Sequence, residues 1–97
     1  MASMIVKNTA TLIAFENEFV VYALRSGLFT EDFLRVEFRS FLFTGLVMTQ
    51  RDYYIYTMRR SGATRSINRY ERIVIQDALN QALNAVSFSS GSVIFKE

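Results

Sequence analysis

Phe33-Leu34-Arg35-Val36-Glu37-Phe38-Arg39-Ser40-Phe41-Leu42-Phe43 is the stretch on which the fold reading turns. Leu34, Val36, Phe38 and Leu42 fall on one side, with Ser40 among them. Arg35, Glu37 and Arg39 fall on the other. Period-two alternation of apolar and charged residues, rich in aromatic and branched side chains, predicts a strand. The Arg-Glu-Arg row makes one side of its first half wet. Phe41 and Phe43 continue that same face, so it turns from wet to dry along its length, as the edge of an interface would. Thr30-Glu31-Asp32 reads as the turn that leads in.

Downstream, Gly45 turns the chain, and Leu46 to Met58 reads as a second strand ended by Ser61-Gly62. Tyr53, Tyr54 and Tyr56 fall on both of its faces, which suits a central strand or an interface. Upstream, two readings compete. Leu12, Phe15, Phe19 and Ala23 have helical spacing, with Asn8 or Thr9 as a cap and Gly27 at the C-terminal end. Against this, Ile5-Val6 and Phe19-Val20-Val21-Tyr22 favour strands, and Glu16-Asn17-Glu18 can form a hairpin turn between them. The strand reading is preferred here.

From Ser66 to Val86 a helix is expected. Val74, Ile75, Ala78, Leu79, Ala82, Leu83 and Val86 form a broad apolar face, and Gln76, Asn80 and Asn84 line the other side. Thr64 or Ser66 is the predicted cap. An alternative extends a strand over Tyr70–Ile75 and shortens the helix to Asp77–Val86. Residues 87–92 read as a short Ser/Gly linker. Val93-Ile94-Phe95 reads as a last strand, which returns to the sheet or adds to that of a neighbouring chain. The fold class expected from all this is α+β. A small antiparallel β-meander of about four strands is followed by one long C-terminal helix and a short final strand.

Ninety-seven residues suit a single domain covering 1–97, with Met1-Ala2-Ser3 read as an added leader ahead of Met4. The chain has no Cys and no His. Disulfides, thiolate or imidazole metal sites, and the common nucleophile–base pairs are therefore excluded. Glycines at 27, 45, 62 and 91 are too scattered for a phosphate-binding loop. Glu16, Glu18, Glu31 and Asp32 read as exposed or turn charges rather than a catalytic cluster. The reading is a non-enzyme without cofactor or metal. No apolar run is long enough to span a bilayer, and no signal peptide is visible, so the expected location is cytoplasmic or intravirion rather than secreted. Nine Phe in so short a chain exceed what a small core can hold, which points to a homo-oligomer.

The charge is uneven. Residues 1–50 carry a net of −1 and residues 51–97 a net of +3, and nine of the eleven basic residues are Arg. The positive charge concentrates in RDYYIYTMRRSGATRSINRYER, residues 51–72. Arg51, Arg59, Arg60, Arg65, Arg69 and Arg72 are interleaved there with Tyr54 and Tyr56, among other tyrosines. Arginine forks match phosphate oxygens and tyrosine rings stack on bases, so these eight residues form a candidate surface for RNA or single-stranded DNA. Binding there would weaken steeply with salt. Two blander readings stand beside it. The arginines can be a solvated face snorkelling over apolar surface, or they can pair with the acidic half of another copy. The functional expectation is a small oligomeric nucleic-acid-binding module. The alternative is a structural or regulatory protein-assembly protein with a protein partner. The small size, the missing Cys, His, Trp and Pro, and the aromatic surplus fit a viral or phage protein, a shell component or an inhibitor.

Overall fold

The computed structural model describes residues 3–6, 9–47, 65–90 and 93–96, with side-chain surroundings for 10–40 and 65–86. The described elements are β1 (Ser3–Val6), α1 (Thr9–Leu24), α2 (Glu31–Gly45), β2 (Leu46–Val47), α3 (Arg69–Ser90) and β3 (Val93–Lys96). Helix is 81% of the part with described side chains, and no strand occurs in that part. The expected α+β meander is therefore corrected to a mostly helical fold. A small sheet of order β2-β1-β3 gathers the short strands, with β1 parallel to β2 and antiparallel to β3.

The correction centres on Phe33–Phe43, which is helical. Thr30 caps α2: its hydroxyl accepts the Phe33 N–H at 3.3 Å, and its carbonyl accepts the Leu34 N–H at 3.1 Å. Glu31 and Asp32 then sit in the first turn, where the helix dipole favours anions. Residues four apart share a helix face, so Leu34 and Phe38 point together into the core, and Glu31 meets Arg35. Val36, which alternation grouped with them, is only half-buried.

α1 is the second correction. Leu12, Phe15, Phe19 and Ala23 line one buried stripe, and the strand preference of Val20 and Val21 yields to it. Glu16-Asn17-Glu18 lies within the helix rather than in a hairpin turn. Ser26 closes α1: its backbone N–H and its hydroxyl both donate to the Ala23 carbonyl, and Gly27 N–H donates to Leu24. Gly27 has φ of +73°, the left-handed conformation that helix ends use and glycine tolerates. α3 matches the expected helix but starts at Asn68 as cap instead of Thr64 or Ser66. It also continues through Ser87–Ser90, which sequence assigned to the linker. The rest of the Leu46–Met58 expectation lies outside the described residues.

The core is where the helices meet. Phe15, Phe19 and Phe38 are fully buried, with Phe38 edge-on to Phe15 at 5.0 Å and tilted against Phe19 at 5.7 Å. Ile75, Ala78, Leu79, Ala82, Leu83 and Val86 complete it from α3. Five of the nine Phe, including Phe29 and Phe33, thus find room inside, which removes part of the argument for an oligomer. The side chains of Phe41, Phe43, Phe88 and Phe95 lie outside the described residues.

One ion pair is set into the α1–α2 contact. Glu16 is 3% exposed, and its Oε2 stands 3.2 Å from Arg35 Nη1. Arg35 also reaches Glu31 Oε2 from Nε at 3.1 Å and Asn17 Oδ1 from Nη1 at 3.1 Å. Burial alone would lower the Arg35 pKa, but the bonds to Glu16 and Glu31 outweigh it and hold the guanidinium more firmly protonated.

Phe38→Ala removes a ring that touches two others and should destabilise by about 3–5 kcal/mol in urea unfolding. Arg35→Ala leaves Glu16 buried without its cation and should cost about 3 kcal/mol. The double variant Glu16→Leu/Arg35→Leu removes the stranded charge and should lie nearer the parent. A double variant as unstable as Arg35→Ala would mean that packing, not charge, sets the effect.

Candidate interaction surface

The strand pairing fixes the sense of the helices. Val6 pairs with Val93, so the start of α1 and the end of α3 lie at one end of the molecule. α1 and α3 therefore run antiparallel. The α1–α2 loop and the start of α3 lie together at the opposite end, where Arg65 Nη2 donates to the Leu28 carbonyl at 3.4 Å.

Asn68-Arg69-Tyr70-Glu71 starts α3 with a reciprocal cap. Asn68 Oδ1 accepts the Glu71 N–H at 2.8 Å, and Glu71 Oε1 accepts the Asn68 N–H at 3.0 Å. Arg65 closes over this cap with a two-pronged bond to the Glu71 carboxylate, at 3.2 and 2.8 Å. It also donates to the Ser66 carbonyl at 3.0 Å. Its guanidinium lies 4.7 Å from the Phe33 ring centroid and 5.8 Å from that of Phe29, and these two rings stack on each other. The bond from Arg65, followed by the Asn68 N–H, holds the Glu71 carboxyl below the ordinary glutamate range. The same bond to Glu71 raises Arg65 further.

The sequence-nominated residues thus separate. Arg65 is fastened to Glu71, the loop and two core-side rings. Arg69 and Arg72 are exposed on the first turns of α3. Arg51, Tyr54, Tyr56, Arg59 and Arg60 lie outside the described residues. The structure gives no support to a nucleic-acid surface, a viral origin or a homo-oligomer. The one nominated arginine with described polar contacts is committed to the fold, and the α+β frame on which the surface was drawn is replaced by helices.

Sequence reading missed the apolar side of this end. Tyr70 is 65% exposed, Ile73 57% and Val21 48%, with Leu24 and Leu28 also exposed. All five belong to the end of α1, the loop after it, or the start of α3. Arg25 stands among them with its guanidinium 5.0 Å from the Tyr22 ring centroid. The signal was present: once residues 9–24 and 69–90 are helices, Val21, Tyr70 and Ile73 fall off the buried stripes.

Farther along, α2 and α3 enclose an open cleft of about 220 Å³, lined by Glu37, Ser40, Ile67, Arg72, Ile75, Gln76 and Leu79. Among the described residues no three acidic groups come close enough to hold a metal ion, and no helix is long and apolar enough to cross a membrane. No family model, curated protein or solved structure matches the chain.

The cap has a pH signature. A carboxyl lowered by folding adds stability that is present above the unfolded glutamate pKa and is lost as pH falls through the folded value. The melting temperature should therefore drop below about pH 4.3, the ordinary glutamate value. Glu71→Gln should be less stable at neutral pH and show a shallower acid limb. Parallel acid limbs for the variant and the parent would show that Glu71 contributes nothing to the dependence.

Proposed function

We propose that this chain is a non-enzymatic protein-binding module, a structural or regulatory element that docks a protein partner at its loop end. The observation that carries this is the gathering there of Val21, Leu24, Leu28, Tyr70 and Ile73, the exposed large apolar side chains of the described part. Exposed apolar groups drawn to one end, with cations among them, are what protein interfaces use. Tyrosine and arginine are among the residue types enriched where interface energy concentrates. The chemistry of the chain points the same way. The chain has no Cys or His, and Glu16, the buried acid among the described residues, is paired to Arg35, so the described part offers little to a reaction.

Panning a random peptide library against the folded chain tests this. Peptides should enrich on the parent and lose at least about tenfold in affinity on Tyr70→Ser/Ile73→Ser, a change confined to exposed positions and checked by circular dichroism. Failure of any peptide to prefer the parent over this variant would overturn the reading.

A further inference from the structure

The cleft between α2 and α3 has a charge arrangement that the docking reading does not use. Glu37 and Ser40 are three residues apart and face it from α2. Arg72, Ile75, Gln76 and Leu79 follow the i, i+3, i+4, i+7 spacing of one helix face and line it from α3. An acid and a base therefore border one small space from opposite walls. They form no ion pair with each other, although the described ion pairs of this region, Arg65–Glu71 and Arg35–Glu31, close to about 3 Å. The same cleft is lined by two neutral hydrogen-bonding side chains, Ser40 and Gln76, and by the apolar Ile67, Ile75 and Leu79.

We propose that this cleft binds a small zwitterion with an apolar side chain, of the free amino acid type. Glu37 takes the ammonium, Arg72 takes the carboxylate, and Ile75 and Leu79 take the side chain. Three features single out this class. A zwitterion meets both the acid and the base that line the cleft, which a ligand bearing one charge does not. A guanidinium presents paired donors that match a carboxylate, and Arg72 sits near the start of α3, where the dipole adds to the attraction for an anion. The volume of about 220 Å³ lies below the roughly 300–1,000 Å³ that drug-sized ligands occupy, which leaves small metabolites. Ser40 and Gln76 supply the neutral donors and acceptors that fix such a ligand's orientation. Because the cleft is open and the ligand has few atoms, binding should be weak, at about the millimolar level.

The test is a titration of the isotopically labelled full chain followed by amide chemical shifts. L-Leucine should give saturable shifts centred on Ser40, Gln76 and Leu79. Two analogues of the same shape each lack one charge: 4-methylpentanoate has no ammonium, and 3-methylbutylamine has no carboxylate. Each should bind at least about tenfold more weakly, and so should glycine, which lacks the side chain. This series needs only the parent protein, so no variant's folding enters it. Glu37→Gln and Arg72→Gln should each weaken leucine by a similar factor, with the helical signal retained. Equal binding of leucine and 4-methylpentanoate would reduce the site to an anion contact at Arg72 and overturn the proposal. Shifts that stay linear and unsaturated to about 50 mM, or that centre away from α2 and α3, would do the same. Loss of peptide docking in Tyr70→Ser/Ile73→Ser bears on the other reading alone, because neither residue lines the cleft.

Discussion

The start of α3 is held to the rest of the chain by Arg65 closing over Glu71. One guanidinium makes four kinds of contact: a forked bond to the carboxylate that caps α3, a bond to the Ser66 carbonyl, a bond across to the loop after α1, and a cation–ring contact with Phe33. Phe33 belongs to the first turn of α2, whose next residue, Leu34, is fully buried. The start of α3 is thereby registered against both the α1–α2 loop and the core edge. Strand pairing between Ser3–Val6 and Val93–Lys96 fixes the opposite end. A helix tied at both ends keeps its Ile75, Leu79 and Leu83 stripe turned toward α1, and the antiparallel sense of α1 and α3 follows.

Arg65 also shows why an arginine-rich segment is a weak pointer to phosphate. The features that suit a guanidinium to nucleic acid are planarity, a two-pronged donor set and affinity for aromatic faces. The same features suit it to a carboxylate beside stacked rings within its own fold. To reach a phosphate, Arg65 would have to release Glu71 and uncover Phe33, and the cap of α3 would lose its outer support. Arg69 and Arg72 carry no such obligation. Their exposure leaves them available for contacts at the loop end and along the α2–α3 cleft, and those contacts need not be the same.

The α3 face from Val74 to Val86 was plain because seven apolar residues obey the helical period over a long window, which few strands could imitate. α1 carried an equally clear stripe, but Val20-Val21-Tyr22 pulled the reading toward strand. β-propensity records how well a side chain fits a half-buried surface, and a helix stripe offers such a surface too. Phe33–Phe43 misled more deeply. Leu34 and Phe38 are four apart, as are Arg35 and Arg39, so both pairs satisfy period two and helical spacing together. Only Val36 and Glu37 break the tie, and they are half-buried in the structure. Capping would have decided it, because Thr30-Glu31-Asp32 is a helix start as readily as a turn. The Asn68–Glu71 box is equally readable as a helix start, but Thr64 and Ser66 are preferred cap residues too and stand just ahead of it.

The two candidate surfaces differ in what the fold demands of them. At the loop end, Val21, Tyr70 and Ile73 lie off the buried stripes, so packing among the described helices does not require them to be apolar. Serine, lysine or glutamate would suit a solvated helix position better, and side chains there are otherwise free to vary at small cost in stability. In the cleft, Ile75 and Leu79 already serve the core, so their apolar character needs no ligand to explain it. What the core does not explain is the placing of Glu37 and Arg72 around one cleft without an ion pair between them. Both carry charge in a space too small for a macromolecule, and the Glu37 charge also helps hold Arg65 protonated. The apolar excess at the loop end therefore argues for a large partner, and the unclosed charge pair in the cleft argues for a small one.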